Sequence, residues 1–365
     1  MLNTAGRGEP GTRVLLAMSG GVDSAASAAL LLRAGYRVVG LTMRNYCYSD
    51  SEAPERSCCS LEAIDDARSV CARLDIPHMI ADTEEIFGRE VYDDFLDEYR
   101  HSRTPNPCVR CNSVVRFNVL ADYALKTGAG YVATGHYARV FRSDAGRYHI
   151  ARSLHPEKDQ SYFLSGLRHE DLDRVLFPLG ELQKPEVRDT ARGEGLVVAE
   201  KPESQEVCFI PGASLREFLD GKIPLEPGDI EDTGGNVIGQ HRGLGAYTIG
   251  QRKGLGIATG SPAYVVRLDT QRNVLVVGAD GELFGRELTC RLNWIDDEAA
   301  ATGGVSARIR SRSAAAPIER VTVAGTVAEV TFTDPQRAIA PGQTIAFYCD
   351  EVVVGAGVID RAGLR

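Results

Sequence analysis

Val14-Leu-Leu-Ala-Met-Ser-Gly-Gly-Val-Asp-Ser24 is the stretch on which the fold turns. Its apolar run VLLAM predicts a strand buried on both faces, and Asp23-Ser-Ala-Ala-Ser-Ala-Ala-Leu-Leu-Leu32 has helical composition. A strand that ends in glycines and opens a helix presents free backbone N–H groups and the positive end of a helix dipole, which is a seat for phosphate. Gly20 and Gly21 allow the close backbone approach and unusual φ that a side chain would prevent. Ser19 and Ser24 add hydroxyl donors, and Asp23 offers a carboxylate for Mg2+ or for capping the helix.

Two common nucleotide loops do not match this turn. The G-x-x-x-x-G-K-[ST] pattern needs a lysine after its last glycine, and G-x-G-x-x-G is absent as well. Ser19-Gly-Gly-Val-Asp-Ser24 instead resembles the PP-loop of the ATP pyrophosphatases. Those enzymes split ATP into AMP and pyrophosphate, leaving AMP on an oxygen that a nucleophile then displaces. The competing reading is an ordinary strand–helix turn of an α/β protein.

A chain of 365 residues is long enough for two or three domains, each with its own core. Its 43% hydrophobic and 25% charged residues are ordinary for a globular protein. No apolar run reaches the ~18 residues of a membrane span, and Met1 to Arg13 lacks both a signal-peptide core and an Arg-rich amphipathic helix. A cytoplasmic protein without a membrane partner is the expectation. Nine cysteines, an odd number without an export signal, point to thiol or metal chemistry and away from a secreted disulfide framework. A net charge of −9 excludes a uniformly basic coat but not a local basic groove for nucleic acid.

From Arg13 to about residue 140, apolar runs alternate with helical stretches, as in a parallel sheet covered by helices. Strands are expected at Arg37–Met43, His78–Ala81 and Tyr131–Thr134, and a helix at Ser60–Leu74. Ligands in open α/β sheets sit beyond the carboxyl ends of strands, so Met43, Asp82, Gly135 and His136 should face the same crevice as the glycine loop. From about Phe209 Pro and Gly recur and alternating runs follow, at Ala263–Leu268 and Asn273–Val277. Beyond Glu287, short strands at Ser306–Arg310, Ala324–Phe332, Thr344–Tyr348 and Val352–Val358 suggest a small barrel or sandwich.

The cysteines are the second chemical signal. Thr104-Pro-Asn-Pro-Cys108-Val-Arg-Cys111-Asn112 sets a Cys-x-x-Cys pair in a proline-stiffened loop, open to a zinc half-site, a redox pair or a single nucleophilic thiol. No partner pair for zinc is evident beyond the adjacent Cys58 and Cys59, so no metal site is expected. Glu200-Lys-Pro-Glu-Ser-Gln-Glu-Val-Cys208-Phe-Ile-Pro211 places a lone cysteine in a polar segment, whereas Cys71 sits in an apolar stripe, as a structural cysteine does.

Taken together and in order, these motifs identify a wider resemblance. SGGVDS, TPNPCVRCN, ATGHYA at Ala133–Ala138, KDQSYFL at Lys158–Leu164, ESQEVCFIP, YTIGQRKGLGI at Tyr247–Ile257 and APGQTIAFY at Ala340–Tyr348 resemble the tRNA-specific 2-thiouridylases, the MnmA/TrmU family. The resemblance covers nearly the whole chain. It implies an N-terminal parallel-sheet PP-loop domain of the adenine nucleotide alpha hydrolase-like class at 1–210, a small β-rich tRNA-contacting domain at 211–284 and a C-terminal β-barrel at 285–365. It also implies a reaction: ATP adenylates the 2-oxygen of the tRNA wobble uridine, and a cysteine persulfide then delivers sulfur to C2 as AMP leaves.

Carried over position by position, Cys208 matches the persulfide-bearing cysteine, and Cys111 the cysteine that resolves the intermediate as a Cys111–Cys208 disulfide. Ala17, Met18, Ser19, Gly20, Gly21, Val22, Asp23, Ser24, Met43 and Gly135 match ATP-contacting positions, with Mg2+ accompanying the nucleotide. Asn106, Pro107 and Cys108 match the pocket for the target base, which must leave its stack to reach it. His136, Lys158, Asp159, Gln160, Arg310, Ser311 and Gln343 match tRNA-contacting positions, and Arg308, Arg310 and Arg312 form a basic cluster suited to phosphate. The partners implied are tRNA and a persulfide-donating sulfur carrier or cysteine desulfurase.

The chain departs from the family pattern at two places. Cys108 stands where an acid is common, and Ser311 replaces a common aromatic. Some relatives are argued to hold an iron–sulfur cluster, for which Cys108, Cys111 and Cys208 are the available thiolates. Cys47, Cys58 and Cys59 belong to a variable stretch and receive no role. The alternatives are an amide-forming PP-loop ligase, indifferent to Cys208, and a tRNA-binding protein that keeps the loop as a relic.

Overall fold

The computed structural model describes residues 8–45, 61–202, 207–210, 214–258, 260–296 and 304–363. Cys47, Cys58 and Cys59 lie outside the described residues. The chain divides into two units, one of residues 1–91, 108–212 and 351–353, the other of 92–107, 213–350 and 354–365.

The first unit is built on the opening strand. β1 (Arg13–Ala17) is wholly apolar after its first residue, and Val14, Leu15 and Leu16 are fully buried. β1 lies between β2 (Arg37–Arg44) and β4 (Tyr131–Ala133), with β3 (His78–Asp82) on the outer edge beyond β2. Every pairing is parallel: Ala17 faces Leu41, Leu16 faces Ala133, and Arg44 faces Asp82. The carboxyl ends therefore align on one edge, as expected for a ligand crevice. Two further elements were not legible beforehand. A hairpin of β5 (Ala138–Arg142) and β6 (Tyr148–Arg152) follows β4, and a two-residue β7 (Val175–Leu176) completes the five-stranded sheet beside β4.

The helix Val22–Arg33 is buried along most of its length because Ala25, Ala26, Ala28 and Ala29 let it approach the sheet closely. Its core also holds Cys71, whose thiol burial pushes up to about 11, the behaviour of an inert packing residue.

The second unit carries a four-stranded sheet and a barrel. β8 (Gly228–Asp232), β9 (Val237–His241), β10 (Tyr264–Asp269) and β11 (Val274–Gly278) pair in the order β10-β11-β8-β9, and the central β11 buries four successive residues. β12 (Phe284–Ile295), β13 (Val305–Arg308), β14 (Ala316–Ala324), β15 (Val327–Arg337), β16 (Thr344–Cys349) and β17 (Val352–Gly363) close into a six-stranded antiparallel barrel through the β12–β17 pairing. Ala328, Val330 and Phe332 alternate inward along β15, the period-two pattern of a barrel wall. The start of β17 belongs to the first unit, where Val352 pairs with Ala151 of β6.

Two strand expectations are corrected. Ala324–Phe332 is not one strand: Gly325, at φ +62, turns the chain between β14 and β15. β13 stops at Arg308, so Arg310 lies in the turn after it.

Candidate active site

At the carboxyl end of β1 the chain passes through Met18, Ser19, Gly20 and Gly21 before entering its helix. Gly20 has φ +70, and a Cβ there would fall 2.2 Å from the Ala63 carbonyl oxygen, so only glycine fits. The serines tie the loop to itself. Ser24 Oγ donates to Gly21 O at 3.0 Å, accepts the Ser19 N–H at 3.2 Å, and lies 3.3 Å from Ser19 Oγ. Gly135 presses from β4: a Cβ on it would lie 2.9 Å from Ser24 N. Gly135 is needed for that approach to the helix start, as Gly20 is for the turn. Ala17 is half-buried, Met18, Gly20, Val22, Ser24 and Met43 are buried, Gly21 and Asp23 are partly exposed, and Ser19 is exposed.

The loop is braced from β2 and β3 by residues that motif reading missed. Thr42 Oγ1 donates to Met18 O at 2.9 Å and, its one proton spent, accepts from His78 Nε2 at 2.8 Å. Burial and then Arg68 hold His78 below the ordinary histidine range, so its ring is neutral. Asp23 is braced from the other side. Its Oδ1 accepts from Tyr137 Oη at 2.8 Å and from Lys184 Nζ at 2.7 Å.

Cys111 is buried and opens the wide helical turn Cys111–Arg116, a π segment of the kind that recurs at functional sites. Asn112 Nδ2 donates to Phe163 O at 2.9 Å, which joins this turn to the KDQSYFL motif. Arg116 Nη1 donates to Asn112 Oδ1 at 2.7 Å and reaches His136 Nε2 at 3.3 Å. Nε2 is thus the acceptor, and Nδ1 carries the proton toward Thr134 Oγ1 at 2.7 Å. Burial first, and then the Arg116 charge, push the His136 pKa down to about 3.

Cys208 lies in the same unit as Cys111 and is partly exposed. The buried Phe209 ring next to it packs edge-on against Phe87 at 5.8 Å, and the Glu84–Phe87 turn in turn packs on the Cys111–Arg116 segment. Phe209, the neighbour of Cys208, and the segment that Cys111 opens therefore pack on the same short helical turn. Among the described residues, no group of three His, Cys, Asp or Glu is arranged to hold a metal ion. The Asp23 carboxylate and the Ser19 and Ser24 hydroxyls are the hard oxygen donors that Mg2+ selects.

Several positions matched to tRNA contacts have structural work. Asp159 accepts from Ser153 N, Ser161 N and Ser161 Oγ, and Gln160 exchanges two hydrogen bonds with the Tyr137 backbone, both at 2.9 Å. Lys158 ends the short helix before them and is partly exposed. In the second unit, Arg310 donates to the carbonyls of Ile249 and Ala338, and Arg308 to that of Ser311. Arg312 is exposed.

Gln343 Nε2 donates to Thr104 O at 2.8 Å and Pro105 O at 3.3 Å, and Thr104 N–H donates to Pro341 O at 2.8 Å. Asn106 and Pro107 follow that grip in the second unit, and the exposed Cys108 begins the next stretch of the first.

Three family models match the chain in sequence: the tRNA methyl transferase HUP domain over residues 12–212, the tRNA methyl transferase PRC-barrel domain over 216–279 and the aminomethyltransferase beta-barrel domain over 287–359. The tRNA-specific 2-thiouridylase MnmA of Heliobacterium modesticaldum is 48% identical over 355 residues, covering 95% of this chain and 92% of that protein. The proteins of the same name from Geobacter metallireducens and Halothermothrix orenii are 45% and 44% identical, covering 96% and 95% of this chain and 97% and 98% of theirs.

Proposed function

The chain belongs to the tRNA-specific 2-thiouridylase family, and from that membership we propose how its residues divide the work of ATP-dependent tRNA thiolation. It is a tRNA sulfurtransferase that uses ATP. The observation that carries the mechanism is the self-tied Ser19–Ser24 turn at the head of a buried helix, in the same unit as Cys111 and Cys208.

Backbone N–H groups of Ser19 to Ser24 receive the phosphates, with Met43 and Gly135 completing the ATP site, and Asp23 holds Mg2+. When bound, Mg2+ offsets the charge of the departing pyrophosphate. Asn106, Pro107 and Cys108 meet the extruded wobble uridine, whose 2-oxygen attacks the α-phosphorus and becomes adenylated. Cys208 carries the persulfide. Its terminal sulfur bonds to C2, and the C2–O bond breaks with AMP as leaving group. The Cys111 thiolate then attacks Cys208 Sγ, cleaving the persulfide S–S bond, and leaves 2-thiouridine and a Cys111–Cys208 disulfide. An external dithiol resets the pair. His136, Lys158, Asp159, Gln160, Arg310, Ser311 and Gln343 shape the tRNA-facing surface, several of them by holding backbone in place.

We place domain limits at 1–210, 211–284 and 285–365, a division supported by the succession of parallel sheet, four-stranded sheet and barrel along the chain. The sulfur comes from a persulfide carrier or cysteine desulfurase, and the setting is the cytoplasm. Among the described residues no helix is long and apolar enough to cross a membrane.

Nucleoside mass analysis of tRNA incubated with the protein, ATP, Mg2+ and a persulfide source tests this reading. Exchange of oxygen for sulfur at the wobble uridine is expected, with Cys111→Ala and Cys208→Ala abolishing it. The matching family models are described as tRNA methyl transferase domains, so a parallel incubation with S-adenosylmethionine belongs in the experiment. A methylated product with no thiolated one would overturn the assignment.

A further inference from the structure

Asp23 is the second residue of its helix, yet its carboxylate accepts no backbone N–H of that helix. Both of its bonds fall on one oxygen. Lys184 Nζ stands 2.7 Å and Tyr137 Oη 2.8 Å from Oδ1, while Oδ2 has no donor among the described residues. Lys184 Nζ also lies 5.7 Å from the centre of the Tyr137 ring, so the three groups close a triangle. The lysine side chain is 13% exposed and the aspartate 30%, which keeps the pair partly shielded from water.

This geometry has an electrostatic logic. A carboxylate beside a seat for phosphates repels them unless a cation intervenes. Lys184 neutralises Asp23 before any nucleotide arrives, so the helix start remains attractive to an anion. Two donors on Oδ1 also stop rotation of the carboxylate, which turns the remaining oxygen into a preset ligand.

We propose that Lys184 and Tyr137 are positioning residues of the nucleotide site, fixing Asp23 through Oδ1 so that Oδ2 ligates the Mg2+ accompanying the pyrophosphate part of ATP. This inference rests on the reading of Ser19–Ser24 as the phosphate seat. Lys184 acts on the metal through the aspartate and touches no phosphate. Tyr137 contributes the second donor, supported by its buried ring.

Equilibrium binding of pyrophosphate to the full-length protein, without tRNA, at rising Mg2+ separates the outcomes. The wild type is expected to bind in a Mg2+-dependent, saturable way. Losing a charge-assisted bond should raise the half-saturating Mg2+ about tenfold in Lys184→Met, and losing one neutral donor about threefold in Tyr137→Phe. The double variant Lys184→Met/Asp23→Asn should be no worse than Asp23→Asn alone, because one residue acts through the other.

Multiplied effects in the double variant would mean that Lys184 meets the phosphates directly and would overturn the proposal. A Mg2+ midpoint unchanged in both single variants would reduce the triangle to a structural bridge and overturn it equally. Tyr137→Phe removes only a hydroxyl, so it decides the matter even where Lys184→Met fails to fold. Absence of pyrophosphate and ATP binding in the wild type would instead remove the phosphate-seat reading itself, and this inference with it.

Discussion

At the residue scale, the sharpest constraint is Gly20. A methyl group there meets the Ala63 carbonyl in a left-handed backbone conformation. Gly20→Ala should cost about 2–4 kcal/mol, read as a fall in the urea midpoint. His136 predicts a pH effect. Its folded pKa is lowered to about 3, below the ~6.5 of an unfolded histidine, so between those values the unfolded chain binds more protons. Stability from this group is full above the unfolded value and is lost as pH falls toward the folded one. His136→Asn should therefore flatten that part of the stability–pH curve, measured by denaturant unfolding at several pH values. The histidine was visible in the ATGHYA motif; its tautomer was not, because Thr134 and Arg116 assign it only in three dimensions.

At the element scale, the turn Ala340–Gln343 and the loop from Thr104 illustrate how distant motifs share one job. Thr104 Oγ1 donates to Thr248 Oγ1 at 3.2 Å, so three separated motifs meet within the second unit. Gly342, at φ +88, would place a Cβ 2.8 Å from Thr104 N. Gln343→Ala should cost about 1–2 kcal/mol by removing a donor from two carbonyls, and Gly342→Ala more than that, both read by thermal unfolding. Motif order announced that these stretches matter. It did not disclose that they bind each other, since hydrogen bonds across more than two hundred residues leave no local pattern. The β14–β15 turn escapes local pattern for a related reason: alternation runs through a Gly-centred hairpin when both arms carry β-branched residues.

At the scale of the whole molecule, a net charge of −9 sets the terms for binding a polyanion. tRNA affinity should fall linearly with the logarithm of salt, and removing an arginine that meets a phosphate should lower the slope by about one. Arg312→Ala is expected to do so, as its side chain is exposed. Arg310→Ala should chiefly reduce stability, because its guanidinium already serves two carbonyls. Filter binding across a salt series, paired with unfolding curves, distinguishes the two arginines.

By itself the sequence determined the α/β start, the barrel at the end, and the positions of the glycine turn proposed for phosphate and of the two thiols proposed for chemistry. Each is written in local patterns: apolar periodicity, glycines where a chain must turn, and motifs in a recognisable order. Only the tertiary structure decided which groups meet. Lys184 on Asp23, His78 behind Thr42, Arg116 on His136 and Gln343 on the Thr104 loop are contacts made by chain folding. Their physical cause is that buried polar groups must find partners wherever packing brings them, irrespective of separation along the chain.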